Sequence, residues 1–383
     1  MTRHPPSEAR EYDVDGKARR ARHVAIVVAA LGAGGAERVI SLISGHWVAN
    51  GHRVTLIAFD REEDPVFHPL DPRVRVVRLG IETGRGGRMA GLCAVWRRCL
   101  GLRRALDKLG PDVTISFLTK INVITLLASL GRDRRVIVSE RNNPRMQRAS
   151  RAWIVALRWL HRRADAIVMQ TRASLECLDS GACRRAVVIP NPIQIAPRAT
   201  ERIGSSILAA TGRLTWQKGF DLLLDAFAMI ADRHPGWKLV IWGEGEERPA
   251  LARRIEERRL GALVSMPGNS LSPEAWVERA DAFVLSSRYE GFSNALGEAM
   301  AAGLPVVAFD CAYSPAEMIR PGENGLLVAD GDVAALAAAL DRLLGDAALR
   351  SRLGRTARET GERFRPAAIL SQWEALIMLV AAR

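Results

Sequence analysis

Short, wholly apolar runs alternate along this chain with longer stretches of helical periodicity, and turn residues separate them. His23 to Leu31 (HVAIVVAAL) is the first such run and predicts a buried strand. Gly32-Ala33-Gly34-Gly35 follows, then a helix over Ala36 to Asn50 and a strand over Arg53 to Phe59. Further strands are expected at Arg73–Leu79, Asp112–Phe117, Arg135–Ser139, Ala166–Met169 and Ala186–Ile189. Helices are expected at Gly87–Leu109, Ile121–Leu130 and Arg151–Arg163. Pro190-Asn191-Pro192 interrupts the alternation, which then restarts. The second half predicts strands at Ser206–Thr211, Trp237–Trp242, Leu263–Met266, Asp281–Leu285, Pro305–Phe309 and Leu326–Val328. Its helices are Phe220–His234, Arg248–Leu260, Asn294–Ala302, Val333–Leu344, Asp346–Arg363 and a last one from Pro366 through Ala382.

Alternating strands and helices imply α/β architecture with doubly wound parallel sheets, and a chain of 383 residues accommodates two domains of roughly 150–200 residues each. The expected division is a disordered polar tail over residues 1–22, a first domain over 23–190, a linker over 191–200, a second domain over 201–365 and a terminal helix over 366–383. No secretory signal is read in the tail, and the longest apolar runs, about nine residues, fall short of a bilayer span. Five cysteines with no C-x-x-C suggest neither a zinc site nor a disulfide framework, which fits a reducing cytoplasm.

Charge changes this picture. Residues 1–190 carry 33 Lys/Arg against 18 Asp/Glu, net +15; residues 191–383 carry 22 against 24, net −2. One half is therefore suited to an anionic partner. Two segments could meet an acidic membrane surface: Arg85–Lys108, with seven basic residues and Trp96, and Arg145–Arg163, with six and both Trp153 and Trp159. Equally, their apolar faces could simply pack on the sheet, with arginines covering the outside.

The stretch that organises the candidate chemistry is Ser286–Gly303, SSRYEGFSNALGEAMAAG. Ser286–Ser293 reads as a loop at the carboxyl end of a strand, where open α/β sheets bind ligands. Ser293 is a natural N-cap for the following helix, whose N-terminus suits a phosphate. Glu290 lies in the loop and Glu298 one turn into the helix, eight residues on, where carboxylates could accept hydrogen bonds from sugar or ribose hydroxyls. A lone Glu there could merely stabilise its helix. In the same position of the second domain's first strand–loop–helix unit, Arg213 and Lys218 could neutralise a diphosphate, or could be two solvated surface charges. Gly212 opens that loop, and Gly243 and Asn269 end neighbouring strands, where they could also be ordinary turn residues. In the first domain, Gly34 and Gly35 permit close backbone approach to a ligand. They are not a dinucleotide fingerprint, since the third glycine position of that motif is Glu37. Glu140-Arg141-Asn142 forms a polar loop at a strand end, open to binding or to folding on its own side chains. Two D-x-D triplets, Asp13-Val14-Asp15 and Asp330-Gly331-Asp332, lie in the tail and at a helix start, neither closing a strand as a metal site would.

Glu290-Gly291-Phe292 with Glu298 resembles the E-x7-E signature of retaining GT-B glycosyltransferases of the family 4 type. GGAER at 34–38, SERNNP at 139–144, NPI at 191–193 and GRLTWQKGFDLLL at 212–224 extend the resemblance over nearly the whole chain from about His23. The resemblance implies two Rossmann-like domains facing across a cleft, with a terminal helix crossing back to the first. It implies that Arg213 and Lys218 stabilise a leaving diphosphate, that Glu290 holds the donor sugar and that Glu298 holds the ribose. Gly34, Gly35, Gly212, Gly243, Asn269 and the backbone of Phe292, Ser293 and Asn294 would complete the donor site, and Glu140, Arg141 and Asn142 would lie on the acceptor side. Many relatives carry a His in that acceptor-side stretch, and this chain does not. The implied activity is hexosyl transfer with retention from a nucleotide-sugar, a UDP-sugar by expectation, to a saccharide or polyprenyl-diphosphate-linked saccharide in cell-surface polysaccharide assembly. No metal or other cofactor is implied, and the expected place is the cytoplasmic face of the plasma membrane. Three alternatives stand beside it: a nucleotide-sugar 2-epimerase, a nucleotide-sugar binder without turnover, and a nucleic-acid-binding module. The last leaves Arg213, Lys218 and the glutamate pair unexplained, so no nucleic-acid partner is expected.

Overall fold

The computed structural model describes residues 21–32, 34–81, 88–141, 151–194, 206–270 and 273–383, with side chains from 93, 153 and 275 onward at three of those restarts. Asn142, Arg85, Arg145, Arg148, most of the expected tail and linker residues 195–200 lie outside the described residues.

The first domain runs β1 (His23–Val28), α1 (Gly35–Ala49), β2 (Arg53–Ala58), β3 (Arg75–Arg78), α2 (Arg88–Leu109), β4 (Val113–Phe117), α3 (Thr119–Ala128), β5 (Val136–Ser139), α4 (Arg151–Leu160), β6 (Ala166–Met169), α5 (Ser180–Cys183) and β7 (Ala186–Val188). The second runs β8 (Ser206–Thr211), α6 (Phe220–Ala228), β9 (Trp237–Trp242), α7 (Arg248–Glu257), β10 (Val264–Gly268), α8 (Pro273–Val277), β11 (Ala282–Leu285), α9 (Asn294–Ala301), β12 (Val306–Asp310), α10 (Pro315–Met318), β13 (Leu326–Ala329), α11 (Val333–Gly345) and α12 (Ala347–Gly361). α13 (Pro366–Ala381) follows. The sheets are ordered β3-β2-β1-β4-β5-β6-β7 and β10-β9-β8-β11-β12-β13, and each described pairing between named strands is parallel.

Strand alternation divides each core between two sheet faces. Val24, Ile26 and Val28 pack with α1 and α13, while Ala25 and Val27 face Leu102, Leu106, Ile121 and Ile124 of α2 and α3. Burial on both faces is why these strands read as continuous apolar runs rather than alternating ones. The second sheet repeats the device: Ala282 and Val284 face α6 and α11, whereas Phe283 and Leu285 face α9.

Several boundaries differ from the sequence expectation for identifiable reasons. The helix expected to reach His234 ends at Ala228, followed by a 3-10 turn over Ala231–Arg233. Pro235 excludes helical geometry at His234, which sits at φ −127°, ψ 57°. α3 begins two residues early, because Leu118 at φ 74° turns the chain directly from β4 into the helix. α5, α8 and α10 have four or five residues each, too few to show a period. One stretch, 347–381, is long and apolar enough by composition to cross a membrane, where the sequence reading expected none. The chain breaks there into α12, a 3-10 turn and α13. The apolar side of α13 is buried in the first domain's core through Ile369, Leu370, Trp373, Leu376, Ile377 and Val380. Trp373 meets Trp47 edge-on at 6.3 Å, and His52 Nε2 lies 2.7 Å from Glu374 Oε1.

Candidate active site

In each sheet the strand order reverses between its first strand and the one placed beside it later, β1/β4 and β8/β11. Such switch points leave a crevice at the strands' carboxyl ends. The two crevices face each other, and the helix N-termini that follow β1 and β11 meet. A side chain at Gly35 would come within 3.2 Å of Asn294 Nδ2. Asn191 Nδ2, in the connection between the domains, donates to Asn294 Oδ1 at 2.6 Å.

The loop after β11 is built by caps. Ser293 Oγ accepts from Leu296 N, fulfilling the expected N-cap, and Ser293 N donates to Ser314 Oγ at 3.0 Å. Phe292 is buried with its ring edge-on to Phe364, so only its backbone is left to face a ligand. Glu290, also buried, accepts from Lys218 Nζ and Ser287 Oγ, each at 2.6 Å on Oε1. Glu298 Oε1 accepts from Arg38 Nη1 at 2.5 Å, and Arg38 Nη2 donates to Gln194 Oε1. That ion pair joins α1 of the first domain to α9 of the second.

Lys218 is placed by two glycines. At Gly219, φ +61°, a side chain would sit 2.1 Å from Ser286 O; at Gly243, φ +146°, it would sit 1.9 Å from Gly212 O. Any Cβ would therefore push the Arg213–Lys218 loop off β9 and β11. Arg213 is exposed, and among the described residues it makes no ion pair; its charge reaches across to Glu37. The Glu37 carboxyl folds back over Gly34, and burial raises its pKa while its own N–H and Arg213 oppose the rise. Asn269 lies exposed beyond β10, outside these contacts.

The structure turns Glu140 and Arg141 inward. Glu140 accepts from Thr119 Oγ1 at 2.7 Å and Asn122 Nδ2 at 2.6 Å; burial pushes its pKa up to about 7, with those two bonds opposing. The Arg141 guanidinium lies over Phe117 and Trp373 at 4.7 and 5.4 Å, and burial lowers its pKa to about 9. Its Nη1 donates to Asn191 Oδ1 at 2.5 Å. Arg141 thus reaches the second domain through Asn191 and Asn294.

Sequence reasoning did not single out Arg38, Glu37, Asn191 or Ser287. Glu37 and Arg38 come one residue after the Gly34–Gly35 pair, which was the available signal. Among the described residues, no cluster of three or more His, Cys, Asp or Glu could hold a metal ion.

Residues 34–192 match the family model described as "Glycosyl transferase 4-like domain", and residues 195–360 match "Glycosyl transferases group 1". An exopolysaccharide phosphotransferase of Streptomyces coelicolor is 30% identical over 91% of this chain, which spans only 40% of that relative's length. An undecaprenol-linked-oligosaccharide α-1,4-N-acetyl-D-galactosaminyltransferase of Campylobacter jejuni is 25% identical, covering 92% of this chain and 98% of the relative. Among solved structures, a sucrose-phosphate synthase from Thermosynechococcus elongatus superposes with TM-score 0.83 at 22% identity, over 94% of this chain and all of that one. The HepE protein of Anabaena, in complex with UDP and glucose, superposes with TM-score 0.77 at 19% identity, over 93% and 99%.

Proposed function

The chain belongs to the GT-B glycosyltransferases, and on that premise we propose that it moves a hexosyl group, with retention, from a UDP-sugar to a saccharide acceptor in bacterial surface polysaccharide or lipid-linked oligosaccharide assembly. The observation that carries this reading is the convergence of Lys218, Glu290, Arg213, Glu298 and the α9 N-terminus on the crevice between two switch points. Arg213 and Lys218 would neutralise the leaving diphosphate, and the diphosphate would compete with Glu290 for the lysine. Glu290 would then hold sugar hydroxyls and Glu298 ribose hydroxyls. Fixed charges aimed at a developing one are commonly the largest catalytic contribution. Gly34, Gly35, Gly212, Gly243, Asn269 and the 292–294 backbone would complete the donor side, with no metal and no other cofactor. Solved relatives that hold UDP support the choice of nucleotide.

The acceptor would enter over the first domain, where Glu140 and Arg141 act by fixing the loop from inside. A polyprenyl-diphosphate carrier accounts for the domain's positive charge, and the Campylobacter relative's name carries such a lipid. Docking on the cytoplasmic face of an anionic membrane would follow from two helix faces. α2 exposes Trp96 and Leu100, α4 exposes Val155 and Trp159, and both helices pack against α3. Exposed arginines 97, 104, 158, 162 and 163 surround them.

The test is turnover of a nucleotide-sugar panel with free and lipid-linked acceptors, read by mass spectrometry. A product carrying one added hexose supports the reading. Donor consumption without an acceptor would favour a 2-epimerase, and no turnover with any pair would overturn both.

A further inference from the structure

Behind the Arg213–Lys218 loop lies a separate pocket of about 150 Å³. It opens between the N-terminal turns of α6 and α7. Its apolar floor is Trp216, Phe220 and Leu251, and Thr215, Asp221, Glu247 and Arg254 stand around it. At that size it is well below the ~300–1,000 Å³ of drug-sized sites, which leaves room for a single ring.

Trp216 is 52% exposed, yet it is held in place. The Arg288 guanidinium lies 4.7 Å from its ring centroid, donates to Trp216 O, and is fixed by two bonds to Asp221 at 2.8 and 2.6 Å. An exposed indole normally swings among rotamers, and ordering it on binding costs entropy. Here that ordering is already in place. Around the indole, the Glu247 carboxylate and the Thr215 hydroxyl make no side-chain hydrogen bond among the described residues. The pocket thus pairs a rigid aromatic platform with acceptors and one hydroxyl that is both donor and acceptor.

We propose that this pocket is a second carbohydrate subsite, taking one pyranose unit of an extended glycan. The C–H face of a pyranose would lie against Trp216, and its hydroxyls would donate to Glu247 and exchange bonds with Thr215. A phosphate is disfavoured, because among the described residues no cation pairs Glu247, the Arg254 guanidinium at the pocket's edge is already held by Asp225, and the neighbouring Glu246 is exposed on the same turn. A neutral polyhydroxylated ring carries no such repulsion. Thr215 and Trp216 lie between Arg213 and Lys218 in the chain, so an occupant would brace the loop that bears the two cations. The proposal rests on the glycosyl-transfer reading only for the source of the glycan; sugar binding is measured without turnover.

The experiment uses the full chain labelled with 5-fluorotryptophan, with the Trp216 resonance assigned by its loss in Trp216→Phe. The probes are methyl α-D-glucopyranoside, methyl α-D-galactopyranoside, N-acetylglucosamine and maltoheptaose, titrated with and without saturating UDP. At least one sugar should move the Trp216 resonance with a dissociation constant around 1 mM. UDP should not displace it, and Glu247→Ala should weaken it about tenfold or more. Glu246→Ala, on the same turn, checks that charge removal alone is not the cause and should leave binding unchanged. No response to any probe, displacement by UDP, or full binding in Glu247→Ala would each overturn the subsite. A failure of turnover with an intact Trp216 response would instead strike only the transfer reading.

Discussion

Lys218 Nζ lies 2.6 Å from Glu290 Oε1, although the two residues are 72 positions apart and extend from the loops after different strands, β8 and β11. Those strands are neighbours at the second domain's switch point. The pair therefore marks the crevice in one contact, and its two members have separate partners in the proposed reaction.

Replacing either member, or Arg213, should slow transfer with little loss of fold. Glu290→Gln, Lys218→Ala and Arg213→Ala are each expected to lower turnover by about 100- to 1,000-fold, the usual effect of removing one preorganised electrostatic group. Product formation under donor saturation, beside thermal melting curves, separates the two effects. Near wild-type turnover in all three would remove the site assignment.

Arg38 and Glu298 should couple energetically across the domains. A cycle of Arg38→Gln, Glu298→Gln and the double variant, followed by UDP binding calorimetry, should yield an interaction of about 0.5–3 kcal/mol, as for contacting residues generally. Strict additivity would mean that the pair does not link the domains in solution.

Glu140 sets a pH dependence of stability. Its folded pKa is raised, to about 7 from 4.5, so the folded chain keeps a proton that the unfolded chain has lost. The stability tied to this group is therefore full below the unfolded value and declines as pH rises through about 7. Glu140→Gln remains neutral and should flatten that decline, gaining up to about 3 kcal/mol over wild type at neutral pH. Urea denaturation at about pH 5 and about pH 8 reads the difference. Parallel losses in both proteins would contradict it.

Activity should survive excess EDTA, since in the proposed reaction Arg213 and Lys218 would supply the positive charge that a metal would otherwise bring. Loss on chelation with recovery on added magnesium or manganese would show a metal in the reaction.

Vesicle docking should need charge and exposed apolar groups together. The full chain should sediment with acidic vesicles and not neutral ones. Salt should weaken the contact, because the screening length falls from about 10 Å at 0.1 M to about 3 Å at 1 M. Arg97, Arg104 and Arg158 changed to Gln, or Trp96 and Trp159 to Ala, should each reduce it. Arg98 is left alone, because it donates to Ile81 O and covers Phe59. Equal binding to neutral vesicles would refute the electrostatic part.

Much of the fold was legible because its strands are buried on both faces and so appear as unbroken apolar runs, as in β1 and β11. The loops bearing Arg213, Lys218 and Glu290, and the helix start bearing Glu298, were legible because each loop follows such a run and precedes a helix. What sequence could not show was direction. Glu140 and Arg141 sit in a polar loop whose sequence left open whether it binds a ligand or folds on its own side chains; Thr119, Asn122, Phe117 and Trp373 hold both inside. Arg38 and Glu298 are 260 residues apart, and no local pattern encodes a contact made only once two domains face each other.

The return of α13 onto the first domain bears on how this chain is made. Residues 21–190 leave the ribosome first, but the groove beside Trp47, Phe117 and Arg141 stays open until Trp373 arrives. At about 5–20 residues per second that delay lasts from roughly ten to roughly forty seconds. During it, the nascent first domain presents an apolar seam to its surroundings, a natural landing place for a chaperone. A shortened chain lacking α13 would carry that seam permanently.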